Sequence, residues 1–471
     1  MQIIACKLVN ILAIPNIKLN KQLSRGLLSF SIFMLLLMNF FYTTIPNNTH
    51  FIFKCLYGSI LLFFVILFSI NQKIQPIKQI NKTFWGLWFI LVFFQFTSSV
   101  LVSLEYLPMA CVSLIEFSLL FYIWFQRNDS MNFISMVFKN FNILFVAYLL
   151  ISIIFIPIGK GQYSGFNLNP NGNGQLVTMA FPIVLYLKSI SKKNSIKLFY
   201  LIELVLIITF CYFSESRTAL LSLLMMIVTI ITCHIFVFKN PLFTLLKKGI
   251  LISVIVLTTI CILPYINSFT SSITKVGDKY EEKKSIYNNP KIEEKTILME
   301  PGPINKTEPA KEPVKESEKE INIIDRVKGD DKSGTSLEDY SSGRTQIWLE
   351  GLSKINLFGN PSRNHIITER NGDVGNNLHN TFLQFSYDNG FFAGITFGLL
   401  VLYSLFILAY NIKINTSVYS YYILIYQVGF IVTSTLASTN LPFLYSISLI
   451  YYFTLPMVNE RITKGELDVK Y

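Results

Sequence analysis

Twelve apolar stretches recur along this 471-residue chain, each long enough to cross a hydrocarbon core of about 30 Å. They are expected at 27–45, 51–70, 83–102, 107–125, 141–158, 174–188, 197–213, 218–238, 248–266, 390–410, 418–437 and 441–457. With 52% hydrophobic and 14% charged residues, the composition excludes a water-soluble domain of ordinary kind. Runs this long and uniformly apolar also exclude the alternating strands of a lipid-facing barrel, because backbone in hydrocarbon must satisfy its own hydrogen bonds. The sequence therefore predicts an all-α integral membrane protein with about 12 transmembrane helices and one large extracytoplasmic loop containing short helices.

The division that follows is residues 1–26 as a cytoplasmic or interfacial N-terminus, 27–266 as helices 1 to 9, 267–389 as the loop, 390–457 as helices 10 to 12 and 458–471 as a cytoplasmic tail. Ile3 to Pro15 is apolar but short and is interrupted by Lys7, which reads as an interfacial helix. Orientation follows from the basic residues. With the N-terminus inside, the inner connections hold 20 Lys and Arg, whereas the short outer ones hold only Lys54, Lys160 and Arg217. Both termini are expected in the cytoplasm of a bacterial plasma membrane, that setting being inferred from an excess of Lys over Arg typical of low-GC coding. The remaining 17 of 40 basic residues lie in the loop beside 20 acids, so the net charge of +12 belongs to the cytoplasmic rim and implies no nucleic-acid partner. Cys6, Cys55, Cys111, Cys211, Cys233 and Cys261 all fall in or beside apolar segments, and the four His are scattered. No disulfide framework, metal site or cofactor is implied.

The loop has two characters. Residues 278–320 are rich in Lys, Glu and Pro, too polar to bury a core. From 340 to 389 an ordered, catalytic part is expected. There Arg344, Trp348 and Leu352 are four apart, on one helical face, and His379, Leu383 and Tyr387 share another. Two further polar connectors are expected on the same side. Gln162 to Gly174 is dense in Gly and Asn, and Ser214 to Thr218 offers Ser214 or Ser216 as a cap for the helix that starts near Thr218. Arg217 would then add its charge to exposed helix-terminal amides, a combination that attracts phosphate. Two fixed cations and one imidazole at the membrane surface suit a phosphorylated lipid donor.

The order of these elements resembles the bacterial O-antigen ligase and O-antigen polymerase superfamily of envelope polysaccharide enzymes. The resemblance rests on Gly165 with Asn169-Pro170-Asn171, Ser216-Arg217-Thr218-Ala219-Leu220, Gly343-Arg344 with Trp348, and His379-Asn380 with Leu383-Gln384, Gly390 and Gly394. Coverage is strongest from about 160 to 400; the first five spans match only in hydropathy. Where the family often has an Arg before Asn-Pro-Asn, this chain offers Gln162. The resemblance implies a metal-independent membrane glycosyltransferase, with undecaprenyl-pyrophosphate-linked oligosaccharide and membrane lipid as partners and a chain-length regulator as an open one. It assigns His379 as the base and Arg344 and Arg217 as stabilisers of the leaving diphosphate. Gln162, Asn169, Asn171, Trp348, Asn380 and Gln384 are assigned to substrate binding. A polymerase is favoured, because low-GC organisms can lack a lipid A core; a ligase passing finished glycan to another acceptor is the alternative. A lipid-linked oligosaccharide flippase is a third reading. It fits less well, because the span centres lack Asp, Lys and Arg, with Glu116 and Glu203 the notable acids.

Overall fold

The computed structural model describes residues 21–41, 50–70, 81–124, 130–158, 162–167, 170–239, 242–274, 344–361, 367–368, 374–375, 377–415, 418–437 and 446–455. The expected interfacial helix at Ile3 to Pro15, the 278–320 segment, Asn169 and the 458–471 tail lie outside these residues. The first half runs through α1 (Lys21–Phe41), α2 (His50–Ile70), α3 (Lys82–Leu101), α4 (Leu107–Cys111), a π-helical turn (Val112–Phe117), α5 (Ser118–Trp124) and α6 (Ser130–Phe155). Next come α7 (Pro170–Ile190), α8 (Asn194–Ser214), α9 (Arg217–Phe236) and α10 (Leu242–Thr274). The loop supplies α11 (Arg344–Ser353), a two-residue antiparallel ribbon of β1 (Ile367–Thr368) and β2 (Val374–Gly375), and α12 (Thr381–Asn389). The chain then continues into α13 (Phe391–Asn415), α14 (Val418–Leu436) and α15 (Ser446–Thr454).

Among the described residues, seven helices are long and apolar enough to cross a membrane: α1, α3, α6, α8, α9, α10 and α13. The protein is thus a multi-pass, all-helical membrane protein. The other expected positions are occupied by α2, by α4 to α5, and by α7, α14 and α15. Helix α6 starts earlier than hydropathy indicates. Its polar first turns are tolerated because Asn140 donates to Ser29 Oγ on α1 at 3.0 Å and is buried there. Helix α7 likewise extends back to Pro170, so the Asn and Gly connector forms its head.

Polar side chains bridge helices in the interior, and the perimeter leaves apolar ones bare, as lipid requires. Ser222 lies 3.0 Å from Thr433, and Ser404 donates to Gln427 at 2.8 Å, both pairs bridging neighbouring helices. At the rim, Leu251 and Leu257 of α10 are each 62% exposed. That helix is pinned by Asn267, whose amide donates to the carbonyls of Ile153 and Ile156 at 2.8 and 2.7 Å.

One end of the bundle carries α11 and α12. Ser98, at the close of α3, donates to the Asp388 carbonyl at 2.8 Å, and Thr381 donates to the Ala437 carbonyl after α14 at 2.8 Å. A turn after α11 interlocks with the α12–α13 junction. The Asn360 amide donates to Tyr387 O at 2.8 Å, and the Phe391 amide donates to Asn356 O at 2.9 Å. Two glycines permit this close approach. Gly359 (φ +93°) and Gly390 (φ +97°) are in the left-handed half of conformational space, where a Cβ at Gly390 would strike the Leu357 carbonyl and one at Gly359 the Asp388 carbonyl. Gly390→Ala or Gly359→Ala is therefore expected to destabilise by about 1–3 kcal/mol or more. Gly398→Ala, in open space on α13, should leave the thermal midpoint in detergent unchanged or slightly raised. Equal midpoints for all three variants would show that the interlock is not needed.

Candidate functional site

Arg217 owes its place to a two-residue elbow. Helix α8 stops at Ser214, Glu215 adopts a left-handed conformation (φ +47°), and Ser216 caps α9, its side chain accepting from the Ala219 amide at 3.4 Å. A non-glycine residue in that conformation is disfavoured, so the turn is held by its surroundings. Those surroundings are the head of α7. Ser216 Oγ donates to Asn171 Oδ1 at 3.1 Å, and a Cβ on Gly174 would lie 2.8 Å from Ala219 Cβ. Two helix N-termini thus stand side by side, a setting that favours anions.

The connector ahead of α7 is fixed by a buried network. Tyr148 of α6 donates to Asn173 Oδ1 at 2.7 Å, and Asn173 donates to the Tyr163 carbonyl at 3.2 Å. The Tyr163 amide in turn donates to Phe213 O at 2.9 Å, next to the elbow. Gln162, partly exposed, is therefore beside the Arg217 turn, and Asn171 is bonded to it; Asn169 lies outside the described residues. Asn173 was not singled out from the sequence, although the density of Asn and Gly there was its signal.

Arg344 opens α11, and His379 sits just ahead of α12 instead of on it. The expected shared face of His379, Leu383 and Tyr387 is thus not a helical one. Asn380 caps α12, its side chain accepting from the amides of Phe382 and Leu383 at 3.0 and 3.1 Å. His379 adopts φ +49°, and its amide donates to Asn377 Oδ1 at 2.7 Å. The Arg344, Trp348 and Leu352 stripe is not the buried one either. Ile347 and Gly351 face inward against Leu378, while Leu352 is exposed. Trp348 donates its indole N–H to the Leu378 carbonyl at 2.8 Å, and Gln384 Oε1 accepts from the Leu378 amide at 2.9 Å. In these positions Trp348, Asn380 and Gln384 spend hydrogen bonds on the loop that carries His379.

The electrostatics tie the three basic groups together. Burial lowers the Arg344 pKa, and the positive charge of Arg217 lowers it further. The same two causes act on His379, burial first and then the Arg344 charge, and move its pKa from 6.5 to about 4. At neutral pH the site therefore presents two guanidiniums and a neutral imidazole, able to hold an anion and accept a proton. Among the described residues no three His, Cys, Asp or Glu side chains converge as a cation site.

Residues 202–398, under half of the chain, are similar to the family whose model is described as O-antigen ligase. The match runs from α8 into α13 and contains Arg217, Arg344 and His379, while Gln162, Asn169 and Asn171 precede it. Searches of curated proteins and of solved structures return no match.

The depressed His379 pKa has a thermodynamic consequence. Unfolded, His379 takes a proton near pH 6.5, whereas folded it stays neutral down to about 4, so acidification through that window favours the unfolded chain. The thermal midpoint of the wild type should fall more between those two pH values than that of His379→Gln. Parallel falls would mean that folding does not perturb the imidazole.

Proposed function

We infer that the protein is a polysaccharide polymerase. It moves an undecaprenyl-pyrophosphate-linked glycan onto a sugar hydroxyl of a lipid-linked repeat unit, at the outer face of the plasma membrane, by inverting transfer without a metal. The single observation that carries this reading is that the Arg217 charge reaches Arg344 and the Arg344 charge reaches His379, three groups distant in sequence. Likeness to the O-antigen ligase family over residues 202–398 supports a lipid-linked glycan as the substrate class. The 20-to-3 bias of basic residues, with helices at every expected position, supports twelve spans and cytoplasmic termini.

The chemistry follows from the charges. The acceptor hydroxyl oxygen attacks the anomeric carbon, the carbon–oxygen bond to the diphosphate breaks, and the hydroxyl proton passes to His379. Negative charge growing on the leaving diphosphate meets Arg217 and Arg344, each such preorganised donor being worth about 2–4 kcal/mol. Bound diphosphate also offsets the Arg344 charge, so the imidazole gains basicity when the donor is in place. Displacement from the face opposite the leaving group inverts the anomeric centre.

The matched family's description as a ligase favours a second reading, transfer of finished glycan to a different acceptor. Purified protein in liposomes with a lipid-linked repeat unit separates the two. Ladder growth without added acceptor is expected; product formed only when another acceptor is supplied would overturn the polymerase reading. His379→Ala and Arg344→Ala should each slow polymer formation by about 100- to 10,000-fold while membrane abundance stays normal. Wild-type polymer from both would remove these side chains from the mechanism.

A further inference from the structure

The peptide unit before His379 is gripped from both sides. Its carbonyl, at Leu378, receives the indole N–H of Trp348 at 2.8 Å, and the Leu378 amide donates to Gln384 Oε1 at 2.9 Å. The Leu378 side chain is wholly buried with Ile347 and Tyr387, and a Cβ on Gly351 would collide with it. Trp348 lies one helical turn after Arg344 on the same helix, so its bond to Leu378 fixes the spacing between Arg344 and the His379 loop. The other jaw is anchored too. Gln384 Nε2 donates to Asp388 Oδ1 at 2.9 Å, and Asp388 is held at its carbonyl by Ser98 at 2.8 Å. Tyr106 adds a bond to the Asn360 carbonyl at 2.7 Å, tying the same region to the α3–α4 junction.

We propose that Trp348 and Gln384 are positioning residues: together they clamp the Leu378 peptide and hold His379, in its left-handed backbone conformation, against Arg344. This role rests on the transfer reading for its catalytic consequence, but not for its geometric one. Arg344 on α11 acts on the imidazole directly, and Arg217 on α9 acts on Arg344. Farther along α11, Lys354 pairs with Glu350 at 2.6 Å. On α12, Asp388 is engaged by Gln384. The end of α14 meets this region through the Ala437 backbone. Loosening the clamp therefore relieves both the burial of His379 and its exposure to the Arg344 charge.

Trp348→Phe deletes one N–H donor and keeps an aromatic ring, and Gln384→Met keeps length while deleting both polar groups. In full-length protein in nanodiscs without substrate, the test follows carbethoxylation of His379 by diethylpyrocarbonate against pH, read by peptide mass spectrometry. Both variants should shift the reactive midpoint upward from near 4 toward 6.5. With a lipid-linked repeat unit, the maximal rate should fall by about tenfold, the equivalent of one lost hydrogen bond, at unchanged half-saturating concentration. An unmoved midpoint in both folded variants would overturn the clamp. So would a raised half-saturating concentration at full maximal rate, the signature of direct substrate contact. If midpoints move but even the wild type makes no polymer, the clamp stands and the polymerase reading fails.

Discussion

Like charges crowded at one end of a helical bundle are the constraint on which the rest depends. Burial and the Arg217 charge lower the tolerance of Arg344 for its own charge, and Arg344 discourages protonation of His379. Partial burial makes that repulsion stronger than it would be in water. Such an arrangement is stable only if the surrounding helices over-determine it. The close seat of Gly174 on Ala219, the Asn173 network and the interlock at Gly359 and Gly390 do so. An anion held between these groups would offset the repulsion among them.

The fold delivers those groups by different devices. Arg217 and Arg344 each begin a helix, where aligned amides already favour negative charge, so each guanidinium reinforces an anion preference built into the backbone. His379 instead depends on a non-helical turn, a left-handed residue between the Leu378 peptide and the Asn380 cap. Helix starts thus place the two guanidiniums, and the braced turn places the imidazole. Such a division would suit the proposed transfer, which needs electrostatic stabilisation at one atom and proton removal at another.

Much of this was legible in the sequence, for identifiable reasons. Apolar length reports directly on lipid crossing, so most helices lay near their expected places, and residue type narrowed the cap of α9 to Ser214 or Ser216, of which Ser216 holds it. The α6 boundary was not legible, because Asn140 is hidden by a bond to Ser29 on a different helix. Helical spacing placed Arg344, Trp348 and Leu352 on one face, but which face is buried was decided by the size of Leu378 against Gly351, a tertiary fact. His379 was assigned to a helix because period alone carries no sign of a positive φ. Asp388 and Tyr106 drew no notice, since their partners are the distant Gln384 and Asn360 carbonyl.

The most direct measurement is a cryo-electron microscopy map of the protein in lipid nanodiscs with undecaprenyl pyrophosphate bound. Diphosphate density is expected between the guanidiniums of Arg217 and Arg344, with the His379 imidazole facing the carbon side of the leaving oxygen. Density seated beyond hydrogen-bonding reach of both arginines, or those three side chains opening onto separate cavities, would contradict a single anion-binding and proton-accepting pocket.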